Sequence, residues 1–377
     1  MTTHAVRLDV ADATATVLSA DQAVTDWAAR YFGQWWNATE VPAQDVCTGS
    51  VVIATVDRDR YDEVALGVTQ EPHGSTLYAR AQLLLSREVS SGVIRAVSPE
   101  QQLAYVSEPG RGRLEIFGCD SGAVATATAR LAREVVRGVL LRNGWAVLHA
   151  SAVVGSDGRT VLTLGQKGAG KTTTALALAA HQGFRLLAND RVFVRPAPDG
   201  SEVDVLPWPA AAAVGLGLLD ALGWFEVARE RLAQGEQLHP TQHERVTAAI
   251  RAGVAEPLWN GDKELKAQVF PDQFEGWFGV PLATGGTAAA LVYPSVEKGA
   301  APAEEGTVRW LAPGDFMSGA TEDRYPDVFG LLGVDGGGAD SVKQEVTRRL
   351  GRLPQIPVIL GHDVSANGEF LAKLLGA

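Results

Sequence analysis

The run Gly165-Gln166-Lys167-Gly168-Ala169-Gly170-Lys171-Thr172 constrains this chain more than any other segment, because it fills every position of the phosphate-loop pattern G-x-x-x-x-G-K-[ST]. Its flanks supply the setting the motif needs. An apolar strand, Val161 to Leu164, enters the loop, and a helix from Lys171 to His181 leaves it. Glycines open backbone conformations closed to other residues, so successive N–H groups can surround phosphate oxygens at the positive end of the helix. Lys171 is then expected to reach the β- and γ-phosphates, and Thr172 to offer its hydroxyl to Mg²⁺. The candidate nucleotide-binding set is Gly165, Gln166, Lys167, Gly168, Ala169, Gly170, Lys171, Thr172 and the adjoining Thr173. The competing reading is a Gly-rich turn with an ordinary surface lysine.

Strand, turn and helix alternate from Trp145 onward: Ala146 to Val154, Thr160 to Leu164, the helix after the loop, then Phe184 to Ala188. That order predicts an α/β domain over 145–377. A hairpin is expected between Val192 to Arg195 and Glu202 to Leu206, then helices over Ala212 to Ala228 and Gln242 to Ala252 and a short strand from Ala288 to Tyr293 that ends at Pro294. A surface helix to Leu350, a strand over Pro357 to Leu360 and a helix over Glu369 to Leu375 complete the domain. Asp335-Gly-Gly-Gly338 reads as a mobile loop. Residues 1–144 read as a smaller β-rich α+β region, with strands near 5–10, 50–56, 76–85, 92–97 and 113–118 and helices near Ala23 to Trp36 and Ala125 to Arg142. The aromatic cluster Trp27, Tyr31, Phe32, Trp35 and Trp36 fits either the core side of an amphipathic helix or a docking surface for a partner protein.

The nearest acidic residue with a plausible role is Asp190, in Leu187-Ala188-Asn189-Asp190 at the end of the strand Phe184 to Ala188. Ligands of open α/β sheets bind at strand ends, and Asp190 can there accept a proton from an attacking hydroxyl or bind Mg²⁺; alternatively it caps a turn. His149, in an otherwise apolar strand, is a catalytic candidate or a satisfied core histidine. Lys263 and Lys266 in Asp262-Lys-Glu-Leu-Lys266 either add positive charge to transferring phosphates or belong to a solvated loop. Trp208, framed by Pro207 and Pro209, lines an acceptor cleft or makes a packing corner.

With 33 Lys and Arg against 44 Asp and Glu, the formal net charge is −11. That balance disfavours nucleic acid as a partner. No uncharged apolar run reaches membrane-spanning length, and the N-terminus lacks the pattern of an export signal. Cys47 and Cys119 form neither a metal-ligand spacing nor a disulfide framework, so a reducing cytoplasm is the expected compartment.

Taken together, His149-Ala150-Ser151, the loop Gly165 to Thr172 and Gly183-Phe184-Arg185-Leu186-Leu187-Ala188-Asn189-Asp190 resemble the catalytic core of the HPr kinase/phosphorylase family, whose fold group is similar to phosphoenolpyruvate carboxykinase. The likeness covers residues 145–225. It implies a P-loop domain with a mixed sheet and an ATP- and Mg²⁺-dependent kinase that moves the γ-phosphoryl group to a hydroxyl. The acceptor is a serine of a small protein or peptide, or a metabolite. By position His149 matches the family histidine, Asn189 the first of two aspartates and Asp190 the second, the general base. Asn189 removes one carboxylate. Val214-Gly215-Leu216-Gly217-Leu218-Leu219-Asp220 echoes the family signature, with Ala212 and Val214 where Glu and Arg belong. The reverse, phosphate-driven reaction is therefore not expected. The alternative function is a nucleotide-binding regulator or slow ATPase without phosphotransfer. The sequence leaves the oligomeric state open.

Overall fold

A computed structural model describes residues 2–45, 49–200, 202–318 and 326–376. The chain forms two compact units, and neither is continuous in sequence. The first comprises Met1–Ala146 and Met317–Ala339; the second comprises Val147–Phe316 and Asp340–Ala377. The expected division at residue 144 lies close to the first crossing, but the return of 317–339 to the first unit leaves no comparable mark in the sequence. Cys47 lies outside the described residues.

In the first unit the strands are β1 (His4–Val10), β2 (Ala13–Ser19), β3 (Thr39–Glu40), β4 (Ser50–Val56), β5 (Gly74–Tyr78), β6 (Ala81–Arg87), β7 (Ile94–Ser98), β8 (Leu103–Glu108) and β9 (Arg113–Gly118). They make one sheet in the order β3-β1-β2-β4-β9-β8-β7-β6-β5. Pairing is antiparallel except for the β2–β4 and β4–β9 ladders. The expected strand 76–85 is two strands, because Ala79 and Arg80 both take positive φ, at 52° and 69°, and reverse the chain.

Helix α1 (Gln22–Phe32) packs on α3 (Ser121–Arg142), which lies along β2, β4 and β9. Helix α2 (Arg58–Gln70) sets Tyr61, Val64 and Val68 against Val97, Ala104 and Phe117. Its low amphipathic contrast hid it from the sequence reading. Tyr31, Phe32, Trp35 and Trp36 are buried, and Phe32 stacks on Trp36 at 5.1 Å. Trp27 is half-buried; the other four residues of the cluster are core, and the docking reading that rested on them is corrected; the α1 helix also ends at Phe32, four residues before the expected Trp36.

The second unit begins within β10 (Ala146–Leu148) and continues through β11 (Ser151–Val154), β12 (Arg159–Thr163), α4 (Lys171–His181), β13 (Arg185–Ala188), β14 (Val192–Pro196) and β15 (Val203–Pro207). The expected strand from Ala146 to Val154 is thus interrupted at His149-Ala150. A smaller helical part follows, with β16 (Ala212–Val214), α5 (Leu216–Ala221), α6 (Phe225–Ala233), α7 (Glu244–Ala252), β17 (Leu258–Asn260), β18 (Lys263–Leu265), β19 (Ala267–Val269) and α8 (Pro271–Phe278). The single helix expected over Ala212 to Ala228 is replaced by a strand and two helices, broken at Gly215 and Gly223; Gly223 has φ 72°. Trp224 stacks on Phe278 at 4.4 Å to build the core of this part.

The main sheet is completed by β20 (Gly286–Val296), β21 (Ala303–Glu304) and β22 (Gln355–Leu360), flanked by α9 (Asp340–Leu350) and α10 (Val364–Leu375). Its order is β10-β14-β15-β20-β12-β11-β13, with β22 beside the later half of β20. Pro294 does not end β20, because the strand runs on to Val296 in parallel register with β22. β12 pairs parallel with β20 and antiparallel with β11, and β11 pairs antiparallel with β13. The carboxyl ends of β13, β12, β20 and β22 therefore meet at one edge, together with the start of β11. Both units are α/β with mixed sheets, and among the described residues no helix is long and apolar enough to cross a membrane.

Candidate functional site

The phosphate-loop sequence occupies that edge, between the end of β12 and the start of α4. Three of its glycines have positive φ: 153° at Gly165, 89° at Gly168 and 100° at Gly170. L-residues rarely adopt these conformations, which explains why glycine stands at each. Space reinforces the choice at Gly170, where an added Cβ would lie 2.5 Å from Val296 Cγ2 on β20. The loop is thus pressed against the neighbouring strand. It is anchored there by the Leu164 N–H donating to Val292 O at 2.9 Å.

Lys171 opens the helix with its side chain folded back over the loop, the ammonium donating to Gly165 O at 2.7 Å and Gln166 O at 3.2 Å. Burial pushes its pKa down, Asp190 acts in the opposite direction, Arg309 lowers it further and Asp315 raises it. A cation partly stripped of water and held only by carbonyls gains from an incoming anion. Gln166, Lys167 and Gly168 are exposed, and Ala169, Gly170, Thr172 and Thr173 are half-buried. The loop surface is open to a ligand.

The end of β13 faces the same helix start. Thr172 Oγ1 donates to Asn189 O at 3.4 Å, and Ser151 Oγ donates to the same carbonyl at 2.6 Å. Asn189 is 6% exposed, yet its Oδ1 accepts no hydrogen bond among the described residues. A buried acceptor left unpaired costs about 1–3 kcal/mol, so this oxygen is suited to a ligand, a cation or water. The neighbouring Asp190 side chain is 54% exposed and lies 3.5 Å from Arg191 Nη1. Thr172 hydroxyl, Asn189 amide oxygen and Asp190 carboxylate are hard oxygen donors of the kind Mg²⁺ takes, and only one carries charge.

His149 sits just before β11 at this edge, half-buried, with its N–H donating to Asp315 O at 2.8 Å. That bond introduces two residues the sequence reading missed. Asp315, 6% exposed, accepts from Arg309 Nη2 at 2.5 Å and from the Ala312 N–H at 2.8 Å. The Arg309 guanidinium lies 5.1 Å from the centre of the Tyr293 ring on β20. Burial raises the Tyr293 pKa to about 12, with Arg309 opposing and Asp315 assisting the shift. No motif marks Arg309 or Asp315; Arg309 lies in an irregular stretch and Asp315 ends a short 3-10 turn, Pro313–Asp315.

Other candidates have their own partners. Lys266 pairs with Glu264 at 3.2 Å, and Lys263 lies in the small β17–β18 hairpin. Trp208 is 3% exposed, stacks on Phe193 at 5.1 Å and carries the Arg191 guanidinium 5.7 Å from its ring centre. It is a packing corner, and the reading of an open cleft wall is corrected. Among the described residues no group of three or more His, Cys, Asp or Glu is placed to hold a metal. No protein-family model matches this sequence, and no curated protein matches it.

Proposed function

We propose that the chain is an ATP-dependent phosphotransferase that moves the γ-phosphoryl group to a hydroxyl, on a P-loop domain of the HPr kinase type. One observation carries the reading: a strand, a loop with three positive-φ glycines and a helix opened by Lys171-Thr172, set at the sheet edge shared with Asn189-Asp190. In this reading the N–H groups of Gly168 to Thr172 bind the β-phosphate, and Lys171 exchanges its carbonyl partners for phosphate oxygens. Thr172, Asn189 and Asp190 would hold Mg²⁺, which when bound neutralises charge on the polyphosphate. Asp190 takes the proton of the attacking hydroxyl; that oxygen bonds to the γ-phosphorus while the bond to the β–γ bridging oxygen breaks, releasing ADP. His149 is assigned to the same edge as a positioning residue.

The test is incubation with γ-labelled ATP and Mg²⁺ in the presence of peptide and metabolite pools, followed by mass spectrometry. Label in an organic acceptor supports transfer. Label only in inorganic phosphate supports the second reading, a nucleotide-binding regulator or slow ATPase, which is favoured by the uncharged amide at Asn189. Absence of any nucleotide binding overturns both.

A further inference from the structure

We infer that Arg309, clamped by Asp315 and stacked on Tyr293, is a further phosphate-binding residue that contacts the terminal phosphate of the bound nucleotide. The inference rests on the proposed triphosphate site and adds to it a residue outside the loop motif. Its place follows from the backbone. Tyr293 immediately precedes Pro294, whose carbonyl oxygen lies 3.9 Å from the Cβ position of Gly165, so the ring under Arg309 belongs to the strand segment lining the loop. From the other side, Asp315 O holds the His149 N–H at the start of β11, two residues before the Ser151 that shares Asn189 O with Thr172.

Neutralising Asp315 does not use up the guanidinium. Asp315 is satisfied by Arg309 Nη2 and the Ala312 N–H. Arg309 Nη1 is buried and donates to nothing among the described residues. An unpaired buried donor costs about 1–3 kcal/mol, a cost that a phosphate oxygen accepting from Nη1 would offset. The side chain as a whole is 32% exposed, so the guanidinium lies at the surface and a small shift of its cover would bring Nη1 to a ligand. The Arg309 charge also pushes the Lys171 pKa down, a repulsion that a dianionic terminal phosphate converts into attraction. A planar fork fixed by a carboxylate on one side and an aromatic face beneath is preorganised for bidentate contact with phosphate. Arg309 forms no covalent bond in transfer; it offsets charge that shifts from the γ-oxygens to the β–γ bridge.

Calorimetric titration of the full chain with ATP and with ADP, each in Mg²⁺ buffer, tests this. For Arg309→Gln the ATP affinity is expected to fall about 10-fold or more, the worth of one charge-assisted hydrogen bond, with ADP affinity changed less than about twofold. Equal loss for both nucleotides, or no loss for either, in a folded variant overturns the inference while leaving nucleotide binding standing. Wild-type chain that binds neither nucleotide overturns the underlying site instead. Should Arg309→Gln not fold, Arg309→Lys decides, since it keeps a cation beside Asp315 but removes the fork. Its ratio of ATP to ADP affinity must drop, and an unchanged ratio overturns the assignment.

Discussion

In the proposed phosphotransfer, Asn189 and Asp190 would divide the work that two carboxylates would share. An amide keeps a lone pair at the buried position without a charge to desolvate, whereas the Asp190 side chain is about half exposed. Asp190→Asn is accordingly expected to leave MgATP affinity within a few-fold and to lower turnover by about 10² or more. Steady-state kinetics beside calorimetry will show this; unchanged turnover removes Asp190 as base. The converse substitution, Asn189→Asp, buries a carboxylate where Oδ1 has no donor. It should cost about 1–3 kcal/mol of stability in chelator, partly restored by Mg²⁺. A melting temperature that ignores Mg²⁺ would refute the cation-facing role of this position. These two residues were legible because they adjoin a motif. Arg309 and Asp315 were not: their meaning comes from a carbonyl bonded to His149 and a ring on β20, neither of which leaves a sequence pattern.

At the scale of elements, the loop and α4 were the most readable part, since spacing, glycine placement and helix propensity all agree there. Gly170→Ala tests that agreement. The substitution demands a side chain at φ 100° and a Cβ 2.5 Å from a β-branched neighbour that cannot swing away. We expect a loss of about 1–3 kcal/mol in denaturant unfolding together with loss of ATP binding. Wild-type behaviour in both would show the loop to be uncommitted. Elements without such agreement were misread: the stretch after Ala212 has helical composition, but its first residues pair with β19 and the helix begins only after Gly215. Helix α9 shows a different contribution. Glu345 accepts hydrogen bonds from Arg348 and Arg349, which hold its carboxyl down at about 2, and Arg349 also donates to Ala197 O and Glu202 O across the β14–β15 turn. A carboxyl with a depressed folded pKa contributes stability above its ordinary value near 4.5, and that contribution fades as pH falls toward 2. Glu345→Gln should therefore melt below wild type at pH 6 and converge with it near pH 2. A gap that does not shrink in acid would mean that the pair contributes nothing.

On the scale of the whole molecule, the first unit closes only with a segment remote in sequence. Phe329 is 2% exposed and meets Tyr78 at 5.3 Å and Tyr105 at 5.1 Å, while Ser107 Oγ donates to its carbonyl at 2.8 Å. Deeper in, the fully buried Arg137 pairs with Glu134 at 2.7 Å and donates through Nε to Gly336 O at 2.9 Å. Asp335-Gly-Gly-Gly338 is thus pinned, since the Gly337 and Gly338 N–H groups return to Asp335 and Gly336 receives Arg137; the mobile-loop reading is corrected. Composition alone suggested mobility because three glycines carry no packing signal, and the packing is supplied by the arginine. Truncation after Asn143 would remove the ring from between two tyrosines and leave a buried guanidinium without its carbonyl. Such a fragment is expected to lack a cooperative unfolding transition, although its length would suffice for a domain. In the full chain, Phe329→Ala should cost about 3–5 kcal/mol, read as faster hydrogen exchange of the α3 and β8 amides. A truncated fragment that unfolds cooperatively, with those amides protected as in the intact chain, would show the returning segment to be dispensable and the first unit to be complete in the N-terminal sequence.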